Sequence, residues 1–252
     1  MEYFVDKKSI VREIWGKSDT ILFIFAGASA EFALSKSVDW LFFTGRLPAD
    51  PIGRFLSTVS YAQTIAFSEK QSAIRAIDAI TAIHASVEEN RGAKIPEWAY
   101  RDVLSMLIDY SIRSFELLQR KLSHAEKNEV FQVFARMGSR MGLNGLPGNF
   151  DEWETMRAQD MRRNLEHSQF TTDLFRQYRK RLGFMNYTVL LEAQKLIVPE
   201  TVRQQLGFRK ISWLSPLIKL YKVGVNIKVD RLLKLFLLPS RYKKEIGALD
   251  VR

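Results

Sequence analysis

The chain has 252 residues, 46% hydrophobic and 26% charged, a globular composition that excludes a disordered chain. It has no cysteine, so disulfides, thiolate zinc sites, iron–sulfur clusters and cysteine nucleophiles are excluded. Its three histidines are too scattered for a multi-histidine metal centre. The net charge is +10 with a pI near 9.7; residues 203–252 hold twelve Lys/Arg against three Asp/Glu, and the rest is close to neutral.

The opening run MEYFVDKKSIVREIW carries charges where a secretory signal would be apolar, so no signal is expected. The most hydrophobic window, ILFIFAGASAEFAL (21–34), is shorter than the ~20 apolar residues of a spanning helix, and Glu31 interrupts it. It predicts a buried helix over about 19–37. The turn GRLPADP follows, and Pro51 suits the first position of a helix capped by Asp50 and running to Phe67. Ser68 is placed to cap a helix over 69–90 that stops near Asn90 and Gly92. Pro96 opens a long helix to about 121. Ser123 with Glu126 makes a capping box for the next, which ends near Gly142. The loop LNGLPGN (143–149) precedes helices near 150–165 and 168–182. Beyond Gly183, shorter segments are broken by Pro199, Gly207, Pro216, Gly224 and Pro239. The expected class is all-α: a helical domain over 1–197, and a basic, apolar-rich helical tail over 198–252 packed on it. No GxGxxG, P-loop, GxSxG or HExxH motif occurs.

One histidine stands out. In RAIDAITAIHASVEEN (75–90), His84 falls within the arc of Ile77, Ile80 and Val87 at 100° per residue. A buried neutral imidazole needs partners for its N–H and its lone pair. Two readings satisfy it: a core histidine bonded to a carbonyl or side chain, or an axial ligand to a haem iron facing an apolar slot. In PIGRFLSTVSYAQTIAF, Arg54, Thr58 and Tyr61 share a helix face, with Ser57 beside it. An arginine in a first helical turn works against the helix dipole. It is either a surface residue paired with Asp39 or Asp50, or a guanidinium lining a pocket with the hydroxyls. Asp109 sits among Leu107, Ile108 and Ile112 and needs a partner; Arg113, Arg101 and His84 are the candidates. His124 and His167 are expected on the surface. The aromatics of DWLFFTG (39–45) serve either the core or an apolar pocket.

The order of these motifs resembles the haem-dependent oxygenase family of MpaB and the latex clearing protein. The segments are FAGASAEFAL (25–34), Asp50-Pro51 with Arg54 and Thr58, and AIHA (82–85), then LIDYSIRSFELL (107–118), LSHAEKNEVF (122–131) and, more weakly, LFLLPSR (235–241). The resemblance implies a globin-like helical core, b-type haem with His84 as proximal ligand, and Arg54 and Thr58 on the other face, with Ser57 and Tyr61 beside them. It further implies dioxygen as co-substrate and oxidative cleavage of a carbon–carbon double bond in an apolar, isoprenoid or other unsaturated substrate. Ser57 stands where rubber oxygenases can carry a lysine that reaches the iron, so an open or water-bound distal site is expected. The family's His-Pro after the first helix is absent, as is its aromatic-His near 104. The alternative function is a non-catalytic haem- or lipid-binding module. The tail, WLSPLIKLYKVGVNIKVDRLLKLFLLP, is either a last layer of core under lysine stems or an interfacial helix on anionic lipid. The expected setting is cytoplasmic, with peripheral contact to a membrane inner face. Nucleic acid is not expected as a partner.

Overall fold

The computed structural model describes residues 2–44, 51–223 and 250, the side chains of Thr44, Pro51, Ile52, Arg54, Phe55 and Val223 excepted. These residues form α1 (Ile10–Trp15), α2 (Ser18–Phe32), α3 (Asp39–Thr44), α4 (Pro51–Phe67), α5 (Lys70–Arg91) and α6 (Glu97–Leu118). Next come α7 (His124–Arg140), α8 (Phe150–Asn164), α9 (Gln169–Ile197), α10 (Glu200–Gln205) and α11 (Ser215–Val223). Among them there is no strand, only isolated bridges at Tyr3–Glu69 and Ser35–Leu165. The all-α single domain expected from periodicity is observed. Asp50, residues 224–249 and the LFLLPSR segment lie outside the described residues.

Helix α2 is the axis of the core because its apolar residues run round most of its circumference. Ile21, Phe23, Ile24 and Ala30 are buried, and α2 packs along α6 and α9. Gly27 permits the close approach. A Cβ there would lie 2.2 Å from the Tyr110 ring, so any larger residue would push the helices apart. The start of α2 has no side-chain cap of its own at Lys17. Asp250 supplies the missing acceptor: its Oδ1 takes the Ser18 N–H at 2.9 Å and the Ser18 hydroxyl at 2.6 Å. A carboxylate suits this positive helix end.

Several boundaries differ from expectation. Helix α2 stops at Phe32 rather than near 37, because the backbone there pairs elsewhere. The Glu166 N–H donates to the Leu34 carbonyl, and the Lys36 N–H to that of Asn164. Ser68 is not the cap of α5; Glu69 holds that position without a side-chain cap bond. Gly183 interrupts the helical backbone where the stop was expected, but a further helical stretch rather than short segments follows it. The glycine takes φ 75°, ψ 170°, kinking α9, and the helix resumes because Val189, Ala193 and Ile197 are buried in the core. Pro216 sits in the first turn of α11, after the non-helical residues 206–214, in keeping with the break expected there. The Ser123–Glu126 capping box and the left-handed Gly92 and Gly142 are as predicted.

Polar groups cross the core between α2, α6 and α8. Glu31 Oε2 accepts from Arg157 Nη2 at 2.6 Å and from the Tyr110 hydroxyl at 2.9 Å. Arg157 also reaches Asp109 at 3.4 Å, and Asp109 accepts from Arg113 Nε at 2.6 Å. Burial works against the Arg157 charge, and the Glu31 and Asp109 carboxylates outweigh it. Two guanidiniums thus balance two carboxylates, and Asp102 is left over. It is 3% exposed, accepts from Asn164 Nδ2 at 2.9 Å, and has no partner at Oδ1. Burial lifts its carboxyl from 3.8 to about 7, with Asn164 pulling the other way. The folded chain keeps this proton where the unfolded chain releases it. Stability therefore falls as pH rises from 3.8 to about 7, by up to about 1.4 kcal/mol per pH unit. Asp102→Asn is expected to flatten that slope, as urea melts at pH 4.5 and 7.5 will read. An unchanged slope in the variant would assign it to another group.

Candidate functional site

Helices α4 and α5 are joined by Ser68 and Glu69 and pack together, so they run antiparallel. Ile65, Ala76 and Ile77 are buried between them, and Tyr61 and Ile80 both pack against that cluster. One turn further, back along α4 and forward along α5, come Thr58 and His84. The hairpin register therefore brings these two to one level. Thr58, Tyr61 and His84 are half-buried, while Ser57 is exposed. Arg54 lies on α4 one turn before Thr58, and its side chain is outside the described ones.

His84 is less enclosed than its place on the apolar stripe predicts. The stripe is buried at Ala73, Ala76 and Ile77, then emerges, so that Ile80, His84 and Val87 are half-buried and Ile83 is 37% exposed. The cause lies in the packing. Helix α5 packs along α4 and, near its start, α7, and does not lie along α2 or α6. It meets α6 through single side chains. The His84 ring stands edge-on to Tyr100, with centroids 5.2 Å apart and planes at 71°. Tyr100 O–H donates to Glu88 Oε1 at 3.1 Å, and Glu88 also accepts from the Ile95 N–H at 3.0 Å and Lys94 Nζ at 2.8 Å. Burial pushes the Glu88 carboxyl up, but these donors outweigh it and hold the group below the usual carboxylate range. Burial and the Glu88 charge push the Tyr100 phenol up, so it remains a donor.

Two turns beyond His84, Arg91 pairs with Asp39 at 2.6 Å and lies over the Trp40 ring at 3.9 Å and the Phe43 ring at 5.3 Å. The Asp39 that was a candidate partner for Arg54 is thus engaged by Arg91. The α3 aromatics form no sealed core: Phe43 is 47% exposed, and Phe42 stacks on Phe170 at 4.9 Å. On α6, Tyr100 and Leu107 are half-buried and Val103 is exposed; on α2, Phe25, Ala28 and Phe32 are half-buried. Each set repeats at i, i+3, i+7, the spacing of a single helix face. The Arg91 and Tyr100–Glu88 contacts went unforeseen, although Glu88 and Arg91 follow His84 at i+4 and i+7.

The other candidates fall elsewhere. Asp109 pairs with Arg113 and Arg157, so it does not orient His84; Arg113, one turn along the same helix, was among its expected partners. His124 is exposed and bonded to Asp151 at 2.9 Å, and His167 is exposed. A void of about 20 Å³ between Val5, Trp15, Ala62 and Phe134 touches Ile65 of the α4–α5 cluster but not Thr58, Tyr61 or His84. It is water-sized. No group of three or more His, Asp or Glu among the described residues could hold a metal, so a metal held by several protein ligands is not built here. One imidazole at the edge of an apolar face does fit a metal that brings its own equatorial ligands, as haem iron does.

A scan against protein-family models matches residues 20–220 to "ER-bound oxygenase mpaB/B'/Rubber oxygenase, catalytic domain". Searches of curated proteins and of solved structures found no match.

Proposed function

The chain belongs to the family of the mpaB and rubber oxygenase catalytic domain, and from that premise we propose that it is a b-type haem-dependent oxygenase with His84 as the iron ligand. The observation that carries this reading is the half-buried imidazole on a helix that packs on α4 and α7 and does not itself lie along α2 or α6. Haem, when bound, supplies the redox-active iron that reacts with dioxygen.

The chain's own residues do the rest. His84 offers a neutral nitrogen from a rigid helix, and its ring plane is set by the edge contact with Tyr100. Tyr100 is in turn fixed by Glu88, which ties α5 to the start of α6. Thr58 is level with His84 and Arg54 lies one turn earlier on the same helix; a hydroxyl and a guanidinium are residue types that would suit polarising dioxygen. Ser57 is exposed beside them, and its neutral hydroxyl would be a poor iron ligand, so it would not compete with dioxygen or water for the metal. Tyr61 packs against Ile65 and Ile77 and steadies the hairpin below the site. The half-buried faces of α2 and α6 would suit an apolar, unsaturated substrate.

The test is spectroscopic and then catalytic. Protein titrated with haemin is expected to develop a Soret band saturating at one haem per chain, and to consume oxygen when an unsaturated lipid is added. A Soret band without oxygen uptake would leave a haem carrier. No band at any haemin ratio would end the haem reading.

A further inference from the structure

The segment 209–222 has two faces. Its inner face is anchored: Ser212 donates its hydroxyl to the Glu192 carbonyl at 3.1 Å, Leu214 and Ile218 are 2% and 5% exposed, and the Tyr221 hydroxyl donates to Asp19 Oδ2 at 2.6 Å. Its outer face is the complement. Ile211 and Trp213 are exposed while Ser212 and Leu214 between and after them are buried, in the turn that leads into α11. Leu217 and Leu220 then follow at i, i+3 on α11, opposite Ile218. These four are 83%, 52%, 45% and 52% exposed. Four large apolar side chains in ten residues on one face are not the scattered apolar exposure of an ordinary surface.

Charge identifies the partner. Arg209, Lys210 and Lys219 are exposed around this face, Lys222 being turned to the Glu116 carbonyl at 2.8 Å, and residues 201–223 contain no Asp or Glu. A second copy docking here would set cation against cation. An anionic bilayer supplies both a boundary for apolar side chains and phosphates for the cations. Tryptophan favours that boundary, and lysine stems reach from it to the headgroups. No described helix is long and apolar enough to cross a membrane, which agrees with a surface-seated segment.

We propose that residues 209–222 seat the protein on an anionic lipid surface, with Ile211, Trp213, Leu217 and Leu220 in the headgroup–acyl boundary and Arg209, Lys210 and Lys219 on the phosphates. The geometry places the apolar residues outside the fold, so Trp213→Ser/Leu217→Ser leaves the fold intact. The experiment is flotation of the full-length protein with vesicles of phosphatidylcholine alone or with 30% phosphatidylserine, at ~0.1 and ~0.5 M salt. The wild type is expected to bind the anionic vesicles at least tenfold better than the neutral ones, less so at high salt. The double variant is expected to lose at least tenfold while keeping its circular dichroism and melting temperature. Absent binding by the wild type, or equal binding by the variant, would overturn the proposal. So would self-association without flotation that the variant abolishes, because a second copy would then own the face.

Discussion

His84→Ala is expected to lower the haem retained per chain at least tenfold while the apoprotein keeps its fold. The two halves of that result have separate causes. The ring is half-buried rather than part of the core, so its truncation is expected to cost the apoprotein about 1 kcal/mol. The iron ligation proposed above, in contrast, needs that nitrogen, and the exposed His124 and His167 stand on other elements. His124→Ala and His167→Ala should therefore bind haem as the wild type does. Alanine leaves room for a free imidazole, so millimolar imidazole should restore the Soret band in the His84 variant and do nothing for a variant that has unfolded. A band unchanged in His84→Ala, and lost in either control, would transfer the ligand role. Glu88→Gln is the companion measurement. It weakens the acceptor that fixes Tyr100 without touching His84, so it should alter the spectrum of bound haem more than its stoichiometry.

Much of this arrangement was legible in the residues. Strong helical periods, the Ser123–Glu126 box and the positive-φ glycines at 92 and 142 act within one or two turns, and these local signals hold in the fold. The order of DPIGR, Thr58 and AIHA carried the family. The failures share a different cause, which is contact between distant segments. Helix α1 has only six residues, too few to show a period, and is held by burial of Ile14 and Trp15 and by the Trp15 indole N–H donating to Ser111, 96 residues on. The early end of α2 comes from backbone pairing with residues 164–166. The exposure of His84 has the same origin. A helical wheel assigns a residue to a face, and only packing decides whether another helix covers that face. Asp109 shows both sides: its bond to Arg113 is an i, i+4 pair readable from spacing, whereas Arg157 arrives from α8, 48 residues away.

That long-range arginine carries the largest stability prediction. Arg157→Met is expected to destabilise the fold by about 3–5 kcal/mol, because removing one member of a buried ion pair strands the other. The stranded group is Glu31, fully buried on α2, which would keep only the Tyr110 hydroxyl of its two partners. Asp109 is cushioned, since Arg113 still holds it at 2.6 Å. The cost should thus follow the Glu31 carboxylate, and a double-mutant cycle can show it. Glu31→Gln alone leaves Arg157 with Asp109 and should cost less than Arg157→Met. Combined, Arg157→Met/Glu31→Gln removes both charges and should recover at least half of the single-variant loss. Urea melts of the four proteins at one pH measure the coupling. Simple additivity would mean that the two groups do not act as a pair. The same cycle separates folding from function, because the network spans α2, α6 and α8 and shares no side chain with the His84–Tyr100–Glu88 contact. The double variant should therefore bind haem with wild-type stoichiometry at temperatures where it remains folded.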